Sequence, residues 1–234
     1  MKFLKSLRST NTPPAKKDRL QEYFSSGRLP FSEGYDIHRI QLIEKTLAND
    51  SLMDRFRRHD SLPAEFGQYV DERVVEYPWL LSRLTPGTGK TLLDAGSTLN
   101  NLTVLDHQSL AQYRKFIVTL APEPVSYWQR GISYVFDDLR DLLFKDAYFD
   151  VVTCISTLEH VGMDNTALYT GDTSFKENIH DDYLKVIREL HRVLKPGGTC
   201  YLTVPFGQYQ YDVFQQQFNA EMLDNVINEF KPTK

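Results

Sequence analysis

The sequence predicts an α/β protein: a doubly wound parallel sheet with a helical extension in front of it. Three features of the chain lead there. After Pro86, five short β-rich runs, TLLDA (91–95), KFIVTL (115–120), ISYVF (132–136), FDVVTCIS (149–156) and TCYLTV (199–204), alternate with helical or loop segments. Their apolar character is continuous rather than alternating, which implies strands covered on both faces. Ahead of Pro86 the apolar residues recur at helical spacing instead.

Taken in order, residues 1–34 read as a basic, flexible arm. Lys2, Lys5, Arg8, Lys16, Lys17 and Arg19 precede or flank Pro13 and Pro14 with few carboxylates nearby. A weak contact with a membrane or a partner is the alternative to a solvated arm. Residues 35–85 form a helical extension. Ile37, Ile40, Ile43 and Leu47 make one stripe, and Phe66, Val70, Val74, Tyr77 and Leu81 make another within EFGQYVDERVVEYPWLLSRL (65–84). Pro86, Gly87 and Gly89 then break the chain, and residues 86–234 hold the α/β unit.

Within that unit the clearest helix carries Tyr183, Ile187, Leu190 and Leu194 on one face. It stops at KPGG (195–198), where Pro196 cannot continue a helix while Gly197 and Gly198 can take positive φ and turn into the last strand. A final helix spans NAEMLDNVINEF (219–230).

Composition narrows the function. In 234 residues, 41% are hydrophobic and 25% charged, as in ordinary soluble proteins, and the formal net charge is −4. That balance gives no general attraction to nucleic acid or to an anionic membrane. No apolar run is long enough for a signal-peptide core or a membrane span, so a cytoplasmic location is expected. Cys154 and Cys200 sit in apolar runs without metal-ligand spacing; both are expected to be buried thiols, and no metal site is predicted.

Three places in the α/β unit carry chemistry. Asp94 and Gly96 follow the first strand, where doubly wound sheets bind ligands and a glycine lets the backbone approach them. Asp138 and Leu139 follow the third strand. Asp138 can accept a hydrogen bond from an exocyclic amine and the Leu139 N–H can serve a ring nitrogen; the alternative is an Asp capping a short helix. Ser156, Glu159 and His160 follow the fourth strand, at a rim where a histidine is either structural or functional.

With ELHRVLKPGGTCYLTVPFG added, the stretch from Leu92 to Gly207 resembles the class I S-adenosylmethionine-dependent methyltransferases. LLDAG, DLRDLLFKDAYFDVV, LEHVG and LKPGG occur in that family's order and spacing. The resemblance implies a Rossmann-like sheet of strand order 3-2-1-4-5 and S-adenosylmethionine lying across strands one and four. It implies that Gly96, Ser97 and Thr98 border the methionine part, that Asp138 and Leu139 hold the adenine, and that Ser156 lines the methyl-donor pocket, with Asp94 also among the cofactor-binding residues. Where the family places an acidic ribose ligand, VTLAPEP (118–124) offers only Glu123 nearby.

The chain also departs from the pattern. Thr98 and Asn100 occupy the second and third glycine positions of the first motif. The loop is expected to hold the cofactor if it opens around Thr98, and not if β-branched Thr98 must mimic glycine. The family's usual strands six and seven have no counterpart, which leaves CYLTV as an edge. The expectation is a shortened form of a longer protein; the alternative is a homodimer or a partner covering that edge.

The implied function is methyl transfer from S-adenosylmethionine to a small hydroxylated acceptor such as a sugar or glycan precursor. Aligning donor and acceptor would supply most of the acceleration. His160 is the candidate base, because imidazole titrates near neutral pH, with Glu159 orienting it or helping to place a divalent metal. In the alternative both residues only cap the turn. Glu72, Arg73, Glu76 or Tyr77 of the extension are expected to close over the cofactor, and GMDNTALYTGDTSF (162–175) to bind the acceptor. The rival is a non-catalytic binding or regulatory module with a degenerate cofactor loop. A nicotinamide-dependent oxidoreductase fails because its glycine fingerprint is missing.

Overall fold

The computed structural model describes residues 16–233, and the chain divides after Ser82 into two units. Residues 1–15 of the expected flexible arm lie outside the described residues. Lys16–Ser25, by contrast, is a helix, α1. It is followed by α2 (Tyr35–Leu47), α3 (Asp50–Arg58) and α4 (Arg73–Arg83).

In the first unit, Tyr23 of α1 is buried with its ring edge-on to Tyr35 of α2, centroids 6.1 Å apart. Gly34 makes this approach possible, since a Cβ there would collide with the Arg19 carbonyl. The Asn49 side chain accepts from Leu52 N at 3.1 Å and starts α3, a helix the apolar spacing alone did not reveal. The helix expected from Glu65 begins only at Arg73. Glu65, Gly67 and Tyr69 all have positive φ, which no helix tolerates.

The second unit holds the sheet. Its strands β1 (Thr91–Ala95), β2 (Arg114–Thr119), β3 (Ser133–Phe136), β4 (Phe149–Ile155) and β5 (Leu194–Thr203) are all parallel, in the order β3-β2-β1-β4-β5. A four-residue helix α5 (Leu102–Leu105) follows β1, and α6 (Tyr183–Val193) precedes β5. Beyond β5, β6 (Gln210–Tyr211) and β7 (Gln216–Gln217) form a separate antiparallel hairpin, and α7 (Ala220–Phe230) follows. Among the described residues the hairpin does not extend the sheet, so β5 is its edge.

One face of the sheet, with Leu93, Val118, Val152 and Cys154, packs on Tyr183, Val186, Ile187, Leu190 and Val193 of α6 and on Val226 of α7. Burying the five α6 side chains is worth on the order of 10 kcal/mol before entropy is counted. The other face packs Ile117 and Ile132 against Leu105. The predicted α6 stripe ends one residue early: Leu194 leaves the helix and pairs with Phe149. Val151 then pairs with Thr199, so KPGG bulges out of the ladder with Gly197 at φ 76°. No helix among the described residues is long and apolar enough to cross a membrane.

Candidate active site

Parallel strands deliver the ends of β1 to β4 to one side of the sheet, and the residues just beyond them surround a cavity of about 250 Å³. The loop after β1 is shaped from inside. Asp94 is buried, and its carboxylate accepts from Leu99 N at 2.7 Å and from the Thr153 hydroxyl at 3.2 Å. Asp94 therefore winds the loop and forms no part of the cavity wall, which at this strand end is Gly96.

Gly96 has φ 108°, and a Cβ on it would collide with the Thr157 side chain. The next left-handed residue is Ser97, at φ 63°. Thr98 takes no positive φ, and its hydroxyl donates to the Ile155 carbonyl at 2.7 Å. The β-branched side chain that the sequence sets at a glycine position is thus turned onto the end of β4, and the strain moves one residue back to a serine.

At the end of β2 the wall is Val118, Thr119 and Leu120. Glu123 is not part of it. That exposed carboxylate accepts from the Asn100 side-chain amide at 2.7 Å, and the same amide donates to the Val125 carbonyl at 2.9 Å.

After β3 the wall is Asp138, Leu139 and Arg140. No helix follows, so Asp138 is not a helix cap. Its Oδ1 accepts from Arg140 N at 2.8 Å, and both carboxylate oxygens bind the Arg140 guanidinium at 2.7–3.0 Å. Burial alone would raise the Asp138 pKa, but the Arg140 hydrogen bonds and charge outweigh it and hold the carboxyl below its ordinary value. The same guanidinium reaches Asp182 at 2.7 Å and Glu177 at 2.9 Å. These hydrogen bonds, led by those to Asp138, raise the Arg140 pKa. One cation therefore ties the β3 loop to the segment that enters α6.

After β4 the wall contains Thr157 rather than Ser156. Ser156 lies at φ 38°, its N–H donating to Thr203, and this turn brings the following threonine to the cavity. A single 3-10 turn, Leu158–His160, then sets His160 in the wall. Its Nδ1 bonds the Phe214 carbonyl at 2.8 Å, and its ring stacks on Phe214 with centroids 6.0 Å apart. A carbonyl accepts only, so Nδ1 carries the proton and Nε2 the lone pair in the neutral ring.

Glu159 is buried and outside the wall. The expected acceptor loop contributes Asn165, Ser174 and Phe175, and Glu177 follows it. Among the described residues no group of three or more His, Cys, Asp or Glu side chains is placed to hold a metal ion.

Gly96, Asp138, Leu139 and His160 thus meet around one cavity, while Asp94, Ser97, Thr98, Glu123, Ser156 and Glu159 stand outside its wall. Thr119, Thr157 and Arg140 belong to the wall and were missed. Of these only Arg140 left a signal, the D-x-R spacing after β3.

The wall fits S-adenosylmethionine. Val118, Leu120 and Leu139 make an apolar slot beside an anionic Asp138, suited to a flat base with an exocyclic amine, and Gly96 leaves backbone room that a Cβ would close. Asp138 and Glu177 place two carboxylates in the wall, both paired with the single Arg140 cation.

A family profile described as a methyltransferase domain matches residues 84–202. A ubiquinone biosynthesis O-methyltransferase of Pseudomonas paraeruginosa is 26% identical over 177 residues, covering 72% of this chain and 68% of that protein. Among solved structures, an S-adenosylmethionine-dependent methyltransferase from Mesorhizobium loti aligns with 65% of this chain and 80% of its own at 15% identity and a TM-score of 0.43. The PH0226 protein from Pyrococcus horikoshii aligns with 66% of this chain and 76% of its own at 15% identity and a TM-score of 0.44.

Proposed function

Since this chain belongs to the methyltransferase-domain family, whose members of this class use S-adenosylmethionine, we propose that it methylates a hydroxyl group of a small acceptor and that His160 is the base. The observation that carries the proposal is the bond from His160 Nδ1 to the Phe214 carbonyl. It fixes the tautomer in which Nε2 can accept a proton, on a residue of the cavity wall.

S-adenosylmethionine, when bound, supplies an activated methyl group on its sulfonium. Gly96, Leu139 and Asp138 would hold it, and Thr157 would border it. Asp138, kept ionised by Arg140, offers acceptor oxygens to the base. Phe175, Asn165 and Ser174, which also line the cavity, would orient the acceptor and exclude water. Holding the two reactants in line is worth up to ~7–11 kcal/mol, so the wall needs little further chemistry. His160 takes the hydroxyl proton at Nε2 as the oxygen becomes nucleophilic. The similarity to an O-methyltransferase supports oxygen as the receiving atom.

The test is His160→Ala. Mass spectrometry of extracts incubated with labelled donor identifies the acceptor, and turnover is then compared with the binding of S-adenosylhomocysteine. The expected result is a rate loss of about 10²–10⁴ with cofactor-product affinity held. Unchanged turnover removes His160 from the mechanism.

A further inference from the structure

We infer that the β6–β7 hairpin is the acceptor-docking surface and that its ligand is a neutral saccharide, stacked on Tyr209 and Tyr211 with the exposed side chains of Gln208 and Gln210 at its hydroxyl groups. The inference rests on the methyl-transfer reading of the adjoining cavity.

The composition of the hairpin is unusual. Pro205–Phe218 contains five aromatic residues and five glutamines; Asp212 is its one charged residue, and it has no Lys or Arg. Several of the large rings face solvent together: Phe206 is 62% exposed, Tyr211 59% and Tyr209 40%. Single exposed apolar residues need no explanation, but a group on one short hairpin does.

These rings are held in place. The Tyr209 and Tyr211 centroids are 6.1 Å apart, and His180 packs edge-on to Tyr211 at 4.5 Å. His180 Nδ1 bonds the Tyr209 hydroxyl at 2.8 Å while its Nε2 bonds Asn178 Oδ1 at 2.8 Å. Gln217 Nε2 donates to the Gln208 carbonyl at 2.9 Å, and Gln216 Nε2 to the His180 carbonyl at 2.9 Å. A ligand meeting rings already fixed loses less entropy than one that must order them.

The hairpin is joined to the cavity at two points. Phe214 accepts from His160, and the segment that contributes Ser174 and Glu177 to the wall runs on to His180. The hairpin that carries the tyrosines thus also holds the ring of the base.

The chemistry selects the ligand. The negative face of an aromatic ring attracts the slightly positive C–H face of a sugar, and amides both donate to and accept from hydroxyl groups. Nucleic acid and anionic lipid would require a group of cations, and the hairpin carries none.

The test is saturation-transfer NMR on the full chain with S-adenosylhomocysteine present, using the methyl glycosides of glucose, galactose, mannose and rhamnose in turn. At least one is expected to show transfer at its C–H face, to lose it in Tyr211→Ala and Tyr209→Ala, and to keep it in Tyr211→Phe. No transfer to any of the four, or transfer that survives both alanine variants, overturns the inference. A thermal shift with S-adenosylhomocysteine, retained in every hairpin variant, shows that they are folded. Its absence from the wild type would strike the methyl-transfer reading instead, and the sugar result would be read separately.

Discussion

The Asn100 side-chain amide donates to the Glu123 carboxylate at 2.7 Å, and the Tyr134 hydroxyl donates to Asn100 Oδ1 at 2.7 Å. A residue at a glycine position of the cofactor loop has thus become a strut between the turns after β1 and β2 and strand β3. Glu123, the sequence's candidate for the ribose, is held by that strut and is absent from the cavity wall.

Glu123→Ala should therefore change the affinity for S-adenosylhomocysteine by no more than about two-fold and cost at most ~1 kcal/mol of stability, as suits one exposed hydrogen bond. Calorimetric titration decides the first point. A ten-fold loss would place Glu123 on the ligand. Asn100→Gly removes three bonds at once and should cost about 2 kcal/mol in urea unfolding.

Arg140→Gln leaves Asp138, Asp182 and Glu177 without their shared cation. The expected loss near neutral pH is about 2 kcal/mol, discounted because the cluster is partly exposed. Burial pushes the pKa of Asp182 up, but Lys185 and Arg140 outweigh it and leave a net depression, as at Asp138. Carboxyls depressed in the folded state contribute stability that is complete above their ordinary value near ~3.9 and is lost as pH falls below it. The wild type should therefore lose stability steeply below about pH 4, and Arg140→Gln less so. Parallel acid limbs for the two proteins would contradict the clamp.

Burial pushes the Cys200 thiol up to about 12, and burial first among its causes raises that of Cys154 as well. Both should be protonated and unreactive at neutral pH. Iodoacetamide is expected to leave the native chain unmodified over hours and to label both cysteines in urea. Cys154 is fully buried while Cys200, expected to be buried too, is half-buried, so rapid labelling of Cys154 in the native chain would show that the β4–β5 region opens.

The sheet was legible because strands covered on both faces write continuous apolar runs, and all five were found in their order. Gly96, Asp138, Leu139 and His160 line one cavity because parallel strands bring the residues just past their ends to one side of the sheet. What stayed hidden depends on backbone turns and distant partners. The left-handed φ of Ser156 moves the wall to Thr157, and nothing in the residue types foretells it. Arg140 acquires its role from Glu177 and Asp182, 37 and 42 positions further on. Asp94 stands at the strand end its position suggested, and the sequence does not tell that Leu99 N and the Thr153 hydroxyl donate to its carboxylate.

Titration of the purified chain with S-adenosylhomocysteine, in the wild type and in Gly96→Ala, is the most direct measurement. Equimolar binding by the wild type is predicted, with affinity reduced about 100-fold or more in the variant, because the added methyl meets Thr157 and φ 108° is strained for any side chain. Circular dichroism must show both proteins folded. A folded wild type giving neither heat nor thermal shift at millimolar ligand, or a Gly96→Ala variant that binds equally well, would contradict the site built around Gly96 and Asp138.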